Sequence, residues 1–175
     1  IVKDRRFSYL SSYFKSFKDR HKVKYFICDM YKPFVDIAKT YFKNAKIVID
    51  KYHFVRYNYW AIENVRKRVQ RSMPSYLRKY YKKSRRLILA RKDSLNEESL
   101  KELEVMLLYN DDLRAAHYLK ELFYEVMKAK SSKEARPLLS KWISIASSSG
   151  IKEYENTAKT YSNWFNEILN SFDVT

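Results

Sequence analysis

Glycine is nearly absent from this chain of 175 residues; the one copy is Gly150. That scarcity excludes a glycine-rich phosphate loop and argues against an all-β fold built on tight turns. Neither a G-x-G-x-x-G fingerprint nor a Walker loop is present. Cysteine is equally scarce. A single Cys28 excludes an internal disulfide framework and fits a reducing compartment. It also disfavours zinc, because one Cys and three scattered histidines (His21, His53 and His117) offer no ligand spacing. No run of about 18 apolar residues exists, so no membrane span is expected. The opening IVKDRRF puts charges where a signal peptide needs its apolar core. The expectation is a soluble cytoplasmic protein with one core, or one core and an annex.

Acidic charge is also in short supply, and unevenly so. The net charge is +16. Residues 1–57 carry 14 Lys/Arg against 5 Asp/Glu, residues 58–93 carry 12 against 2, and residues 94–175 carry 10 against 13. Evenly mixed charge reads as solvated surface. An excess concentrated in so short a middle segment reads instead as a surface for a polyanion, most simply the phosphates of nucleic acid.

What the chain does have is two short apolar runs that each stop on an aspartate. One is Val23, Tyr25, Phe26, Ile27 and Cys28, ending at Asp29; the other is Ile47, Val48 and Ile49, ending at Asp50. Near-continuous β-branched and aromatic runs bounded by polar residues predict strands buried on both faces. Between them Phe34, Ile37, Ala38 and Tyr41 recur at helical spacing. A strand–helix–strand unit makes its strands parallel. Both aspartates then lie at strand carboxyl ends, where open α/β sheets place their ligands. Neighbouring strands run roughly 4.8 Å apart, so the two carboxylates would face one metal-sized space. Ile1–Asp4 reads as the tail of a strand begun earlier, which leads us to expect sequence upstream.

From Phe54 onward the pattern is helical. Val55, Tyr59, Ile62, Val65, Arg66 and Val69 follow three- and four-residue steps, with Arg66, Lys67, Arg68 and Arg71 assigned to the outer face and Pro74 as the stop. Tyr76, Tyr80 and Tyr81 then mix with Lys82, Lys83, Arg85 and Arg86. Asn96, Asp111–Asp112 and Ser131–Ser132 mark further helix starts. Ser147–Gly150 is the one linker-like patch, and residues 151–172 read as a single last helix. The expected fold class is α/β plus mainly α: a small α/β piece over 1–57, a larger all-helical region over 58–150, and a closing helix within 151–175.

Each candidate residue has a structural use beside a chemical one. Asp29, at the end of a buried strand, can bind a hard divalent cation through oxygen, or it can cap the next helix. Asp50 has the same pair of uses. His53 can orient Asp50 or a phosphate, or pack in a helix-start turn. Cys28 reads as a small buried hydrophobe rather than a nucleophile. The tyrosines among the basic residues can stack on bases or pack against helices.

The stretch VKYFICDMYKPFVDIAKTYFKNAKIVIDKYHFVRYNYWAIENVRKRV resembles the central segment of a bacterial insertion-sequence transposase of the DDE type, ISL-three group. The elements that carry the likeness are Cys28-Asp29-Met30, Phe42-Lys43-Asn44-Ala45 and Asp50-Lys51-Tyr52-His53-Phe54-Val55. Lys43 stands where the family pattern has proline. Weaker likeness extends over Leu87–Leu89, Asp112–Lys120 and Ser149–Ile151, so it covers essentially the whole chain. The resemblance implies an RNase H-like core interrupted by a helical insertion. It also implies DNA strand cleavage and joining by two divalent metals, Mg²⁺ or Mn²⁺, held by three acids. Asp29 matches the second acid, which makes it the expected catalytic and metal-binding residue, with Asp50 and His53 as neighbours. The first acid would lie upstream of Ile1. The third, a glutamate in an N-x-x-E-G context, would follow the last helix; Glu153, Glu155 and Glu167 do not sit in that context.

The resulting expectation is a transposase fragment that performs no strand transfer alone and binds DNA, such as transposon ends, through Arg66, Lys67, Arg68, Arg71, Lys82, Lys83, Arg85 and Arg86. It would have no membrane partner, and a homo-oligomer is compatible with it. Three alternatives make different demands. A helical nucleic-acid-binding module would have no sheet. A complete RNase H-like nuclease would bring Asp29, Asp50 and a late glutamate such as Glu155 together around a metal. An interaction scaffold would pair its aromatic helices with a partner.

Overall fold

In a computed structural model the two aspartate-terminated runs lie side by side. The structure describes residues 4–83 and 85–174. The strand-tail reading of Ile1–Asp4 thus falls, but for Asp4, outside the described residues. Strands β1 (Tyr25–Cys28) and β2 (Lys46–Ile49) form a parallel two-stranded sheet, with Phe26 against Ile47 and Cys28 against Ile49. Helix α2 (Lys32–Tyr41) makes the crossover that parallel strands require. Pro33 sits in its first turn, where a missing N–H costs little.

The chain divides into two compact units, one of Ile1–Phe54 with Trp164–Thr175 and one of Val55–Asn163. In the first, α1 (Phe7–Lys15) packs on α2, and α10 (Phe165–Asn170) packs on β2. The core joins Leu10, Ile37 and Phe42, flanked by Phe14, Phe26 and Phe34. The Phe14 and Phe42 rings meet edge to face at 5.2 Å, a favoured aromatic geometry. The Asn170 side chain donates to the Ile47 carbonyl at 2.7 Å, so α10 satisfies an acceptor of β2 that β1 does not use. Lys46 pairs with Asp173 beside it.

The second unit is helical. Most of α3 (Lys51–Arg71) leads into α4 (Ser75–Lys83) and α5 (Arg85–Leu89), followed by α6 (Glu97–Leu108), α7 (Asp111–Met127), α8 (Ser132–Ser147) and α9 (Lys152–Asn163). Asn96, Asn110 and Ser131 cap α6, α7 and α8 by accepting a backbone N–H from the first turn. Gly150 turns the chain between α8 and α9 at φ 71°, where a side chain would be strained. Trp142, Phe123, Tyr154 and Tyr161 form the aromatic centre of the unit, with Trp142 and Tyr161 at 5.1 Å. The indole N–H of Trp142 donates to the Leu119 carbonyl, so its burial strands no donor.

Beneath α7 lies a buried cation. Lys120 is fully buried, and its ammonium donates to the Ile88 carbonyl (3.1 Å), to the Ala90 carbonyl and to Glu121 (2.7 Å). The two carbonyls belong to the end of α5, where helix geometry leaves acceptors unfilled and favours positive charge. The His117 Nε2 lies 3.2 Å from the same ammonium, whose three N–H groups are directed at the two carbonyls and Glu121. Burial, then the charges of Lys120 and Lys92, push the His117 pKa down to about 3. His117 is therefore neutral, and its 3.7 Å approach to Glu121 is not an ion pair.

Three expectations are corrected here. Strand β1 is not buried on both faces: Phe26 packs on the core, whereas Tyr25 and Ile27, on the other face, are exposed. The stretch 151–172 is two helices, because Trp164 leaves helical geometry (φ −113°, ψ 21°) between α9 and α10. Helix α3 begins at Lys51 rather than near Phe54, because Asp50 supplies an earlier cap.

Candidate functional site

The register that pairs Cys28 with Ile49 carries on by one residue. The Asp50 backbone N–H donates to the Cys28 carbonyl at 3.0 Å, which sets Asp29 and Asp50 at adjacent carboxyl ends of the sheet. Their side chains do different things. Asp50 is exposed, and its Oδ1 accepts the Tyr52 N–H at 2.9 Å, the bond of a helix cap. Asp29 is half-buried and caps nothing: the N-cap of α2 is Tyr31, with no side-chain bond. Its Oδ1 is buried and has no hydrogen-bond partner among the described residues. A buried oxygen left so costs roughly 1–3 kcal/mol and calls for a donor or a cation.

Around these carboxylates the other candidates are ordinary. His53 is half-buried in the first turn of α3, its ring edge-on to Tyr52 at 5.5 Å. The Cys28 thiol is pushed up to about 12, first by burial and then by the negative charges of Asp29 and Glu167, so it is no nucleophile at neutral pH. Glu167, on α10, is thereby within electrostatic reach of Cys28. A shallow recess of about 280 Å³ beside Asp50 is lined by Ile27, Val48, Lys51 and Ser171 among others.

The basic residues divide sharply. Arg66 is 4% exposed, against its assignment to the outer face. Its guanidinium forks onto both oxygens of Glu63 at 2.9 Å and donates to Gln70 Oε1. Arg85 adds a bond to Glu63 Oε1, and Lys67 approaches it at 3.7 Å. Burial pushes the Glu63 carboxyl up, but the bonds from Arg66 and Arg85 outweigh it and hold the pKa below the usual carboxylate range. Arg68 is half-exposed and committed to Glu153 and Asp112. Arg71, Lys82, Lys83 and Arg86 are exposed.

Of the tyrosines, Tyr81 is buried and donates to the Met106 carbonyl, and Tyr80 donates to Glu102. Tyr76 is 71% exposed. The sequence reading missed Arg78. It lines a recess with Lys67, Gln70 and Arg71, and its place one helical turn beyond Pro74 was the available signal.

Comparison with known proteins decides the family. The family model of the DDE transposases of the ISL-three group, described as "Transposase", matches residues 1–175. The chain belongs to that family. No curated protein and no solved structure matches it. This transposase-family chain therefore has a transposase-related function, and its family implies DNA as partner and generally uses divalent metals.

The metal can be tested against the residues present. Among the described residues no three His, Cys, Asp or Glu side chains are placed to hold a metal ion. Asp29 offers one unfilled buried oxygen, and Asp50 spends one of its own on a cap. These residues supply a ligand rather than a ligand set. The sheetless helical module fails on the sheet itself. Among the described residues no helix is long and apolar enough to cross a membrane.

Proposed function

We propose that this chain acts in DNA transposition, with its α/β unit forming part of an RNase H-like catalytic core and its helical unit forming the insertion. Asp29 is then the second acid of the family's triad and one ligand to a Mg²⁺ or Mn²⁺ ion, with Asp50 and His53 shaping the ground beside it. The observation that carries this reading is the unpartnered buried oxygen of Asp29 at the end of a parallel strand. Such an oxygen is what a hard cation completes, and the capping use that competes for a strand-end aspartate is taken by Asp50 instead. DNA is held by exposed cations of the helical unit, Lys67, Arg71, Lys82, Lys83 and Arg86, with Arg85 shared with Glu63. Under this reading the chain works in the cytoplasm beside its DNA, and self-association is read by sedimentation.

Two measurements test it. Mn²⁺ titration followed by NMR should broaden amide signals nearest Asp29, and Asp29→Asn should abolish the effect; broadening that survives the substitution removes the ligand role. A strand-nicking assay with Mg²⁺ should show no strand transfer by this chain alone, since Asp29 is one acid of the three required. Nicking that disappears in Asp29→Asn would show a self-sufficient site and overturn that part of the reading.

A further inference from the structure

We infer that the α3–α4 corner is a preformed seat for one phosphate group, with Arg78 and Arg71 as its principal ligands and Lys67 at its side. For the phosphate's owner, a nucleic-acid backbone, this rests on the DNA-binding reading above. The corner is a recess of about 190 Å³ lined by Lys67, Gln70, Arg71 and Arg78. It is below the roughly 300 Å³ at which clefts begin to take drug-sized molecules, and three of its four walls are cationic. Among the described residues no carboxylate lines it. The nearest acid described for Lys67 is Glu63 at 3.7 Å, beyond hydrogen-bond distance and already bonded to Arg66 and Arg85. Neither Arg71 nor Arg78 has a carboxylate partner among the described residues.

Like charges facing one recess repel unless something holds them there. A relay of fixed groups does so. Glu63 locks Arg66 through two bonds, and Arg66 donates to Gln70 Oε1 at 2.5 Å. Gln70 in turn donates its amide N–H to the Arg78 carbonyl at 2.7 Å. The backbone that carries Arg78 is thus tied to α3 opposite Arg71. This gives the buried ion pair a use: Arg66, which cannot touch DNA, positions a residue that can. Cations gathered before the ligand arrives lose less ordering entropy on binding. Two guanidiniums suit the planar, bidentate recognition of phosphate oxygens. Gln70 and Arg66 are positioning residues in this scheme.

The test uses the whole chain in two arms. In one, inorganic phosphate is titrated while the side-chain Nε–H signals of Arg71 and Arg78 are followed by NMR. Both should shift together and saturate. In the other, affinity for a short DNA duplex is measured between about 50 and 200 mM salt. Removing the contact to one phosphate should flatten the slope of log K against log salt by about 0.9. Arg71→Ala/Arg78→Ala should therefore lose about 0.9, not twice that, because both arginines serve one phosphate. Arg71→Lys/Arg78→Lys should recover most of the loss. Lys133→Ala/Lys141→Ala, equal in charge removed but placed on α8, should lose none.

The outcomes separate cleanly. An equal loss in the α8 control, or an unchanged slope together with unshifted arginine signals, overturns the seat while leaving DNA binding standing. Shifted signals without a slope change assign the seat to free phosphate and overturn the nucleic-acid owner. Absence of DNA binding with shifted arginine signals sinks the DNA-binding reading but not the seat.

Discussion

Lys120 in the helical unit is fully buried, yet its ammonium finds two carbonyls and a carboxylate. Asp29 in the α/β unit is less buried, yet one of its carboxyl oxygens has no partner among the described residues. Among the described residues the helical unit does leave buried side-chain atoms unpaired, the Asn58 amide oxygen and the Tyr154 hydroxyl, both neutral groups. Its buried charged groups (Glu63, Arg66 and Lys120) are all paired. Leaving a charged group unmatched costs more than leaving an amide or hydroxyl so. The contrast separates polar groups that hold a structure together from one that waits for something outside it.

The sharpest way to break the contrast is to remove the matched charge. Lys120→Met leaves the Ile88 and Ala90 carbonyls without their donor and takes the cation from Glu121, which keeps only the Lys92 N–H, and it should cost about 3–5 kcal/mol, read from chemical denaturation followed by tryptophan fluorescence. A loss under about 1 kcal/mol would mean that the ammonium is a passenger, since burying it unmatched would cost several-fold more. His117 comes next. Its folded pKa lies near 3, below the unfolded value near 6.5. A depressed folded pKa means that the unfolded chain takes up the proton first. The stability His117 contributes is therefore complete above about pH 6.5 and is lost as pH falls toward 3, at up to about 1.4 kcal/mol per pH unit. His117→Gln should flatten the decline between pH 6.5 and 5, a window above most carboxylate titration; an unchanged slope there counts against a buried neutral imidazole.

How much of this the sequence displayed depends on range. The strand pair was legible because its signal is local: apolar runs such as Ile47-Val48-Ile49 that stop on a carboxylate, with a helical spacing between. The caps at Asn96 and Ser131 were legible for the same reason. Arg66 was half legible. It sits four residues after Ile62 on the very stripe that is buried, with Glu63 three residues before it to neutralise it, and the density of neighbouring cations concealed both signals. The commitments of Arg68 to Asp112 and Glu153 join positions far apart in sequence, and no periodicity reports such a pairing. The break at Trp164 was hidden because the apolar stripe continues across it from Tyr161 to Leu169. At the site, position was readable and allegiance was not. Both aspartates end strands, and which of them would cap a helix depended on where α2 and α3 begin.

That difference gives the smaller predictions. Asp50→Ala removes a cap from α3 and should cost about 1 kcal/mol, as lost N-caps usually do. Asp50→Asn, which can still accept the Tyr52 N–H, should cost a few tenths at most. Asp29→Asn should have the smallest effect and a different sign. It replaces a half-buried carboxyl group with one unmatched oxygen by a neutral amide of the same shape, so stability should stay within about 0.5 kcal/mol of the original or rise. A loss above about 1 kcal/mol would show that Asp29 is a structural acceptor after all, because only a group with a partner to lose pays that much on isosteric replacement. Mn²⁺ makes the comparison finer. If the unfilled oxygen is a ligand position, Mn²⁺ well above its Kd should stabilise the original chain more than Asp29→Asn, since an ion that binds only the folded form raises its stability by RT ln(1 + [Mn²⁺]/Kd). Asp50→Asn should keep the full increment, because the oxygen it changes is already spent on a helix.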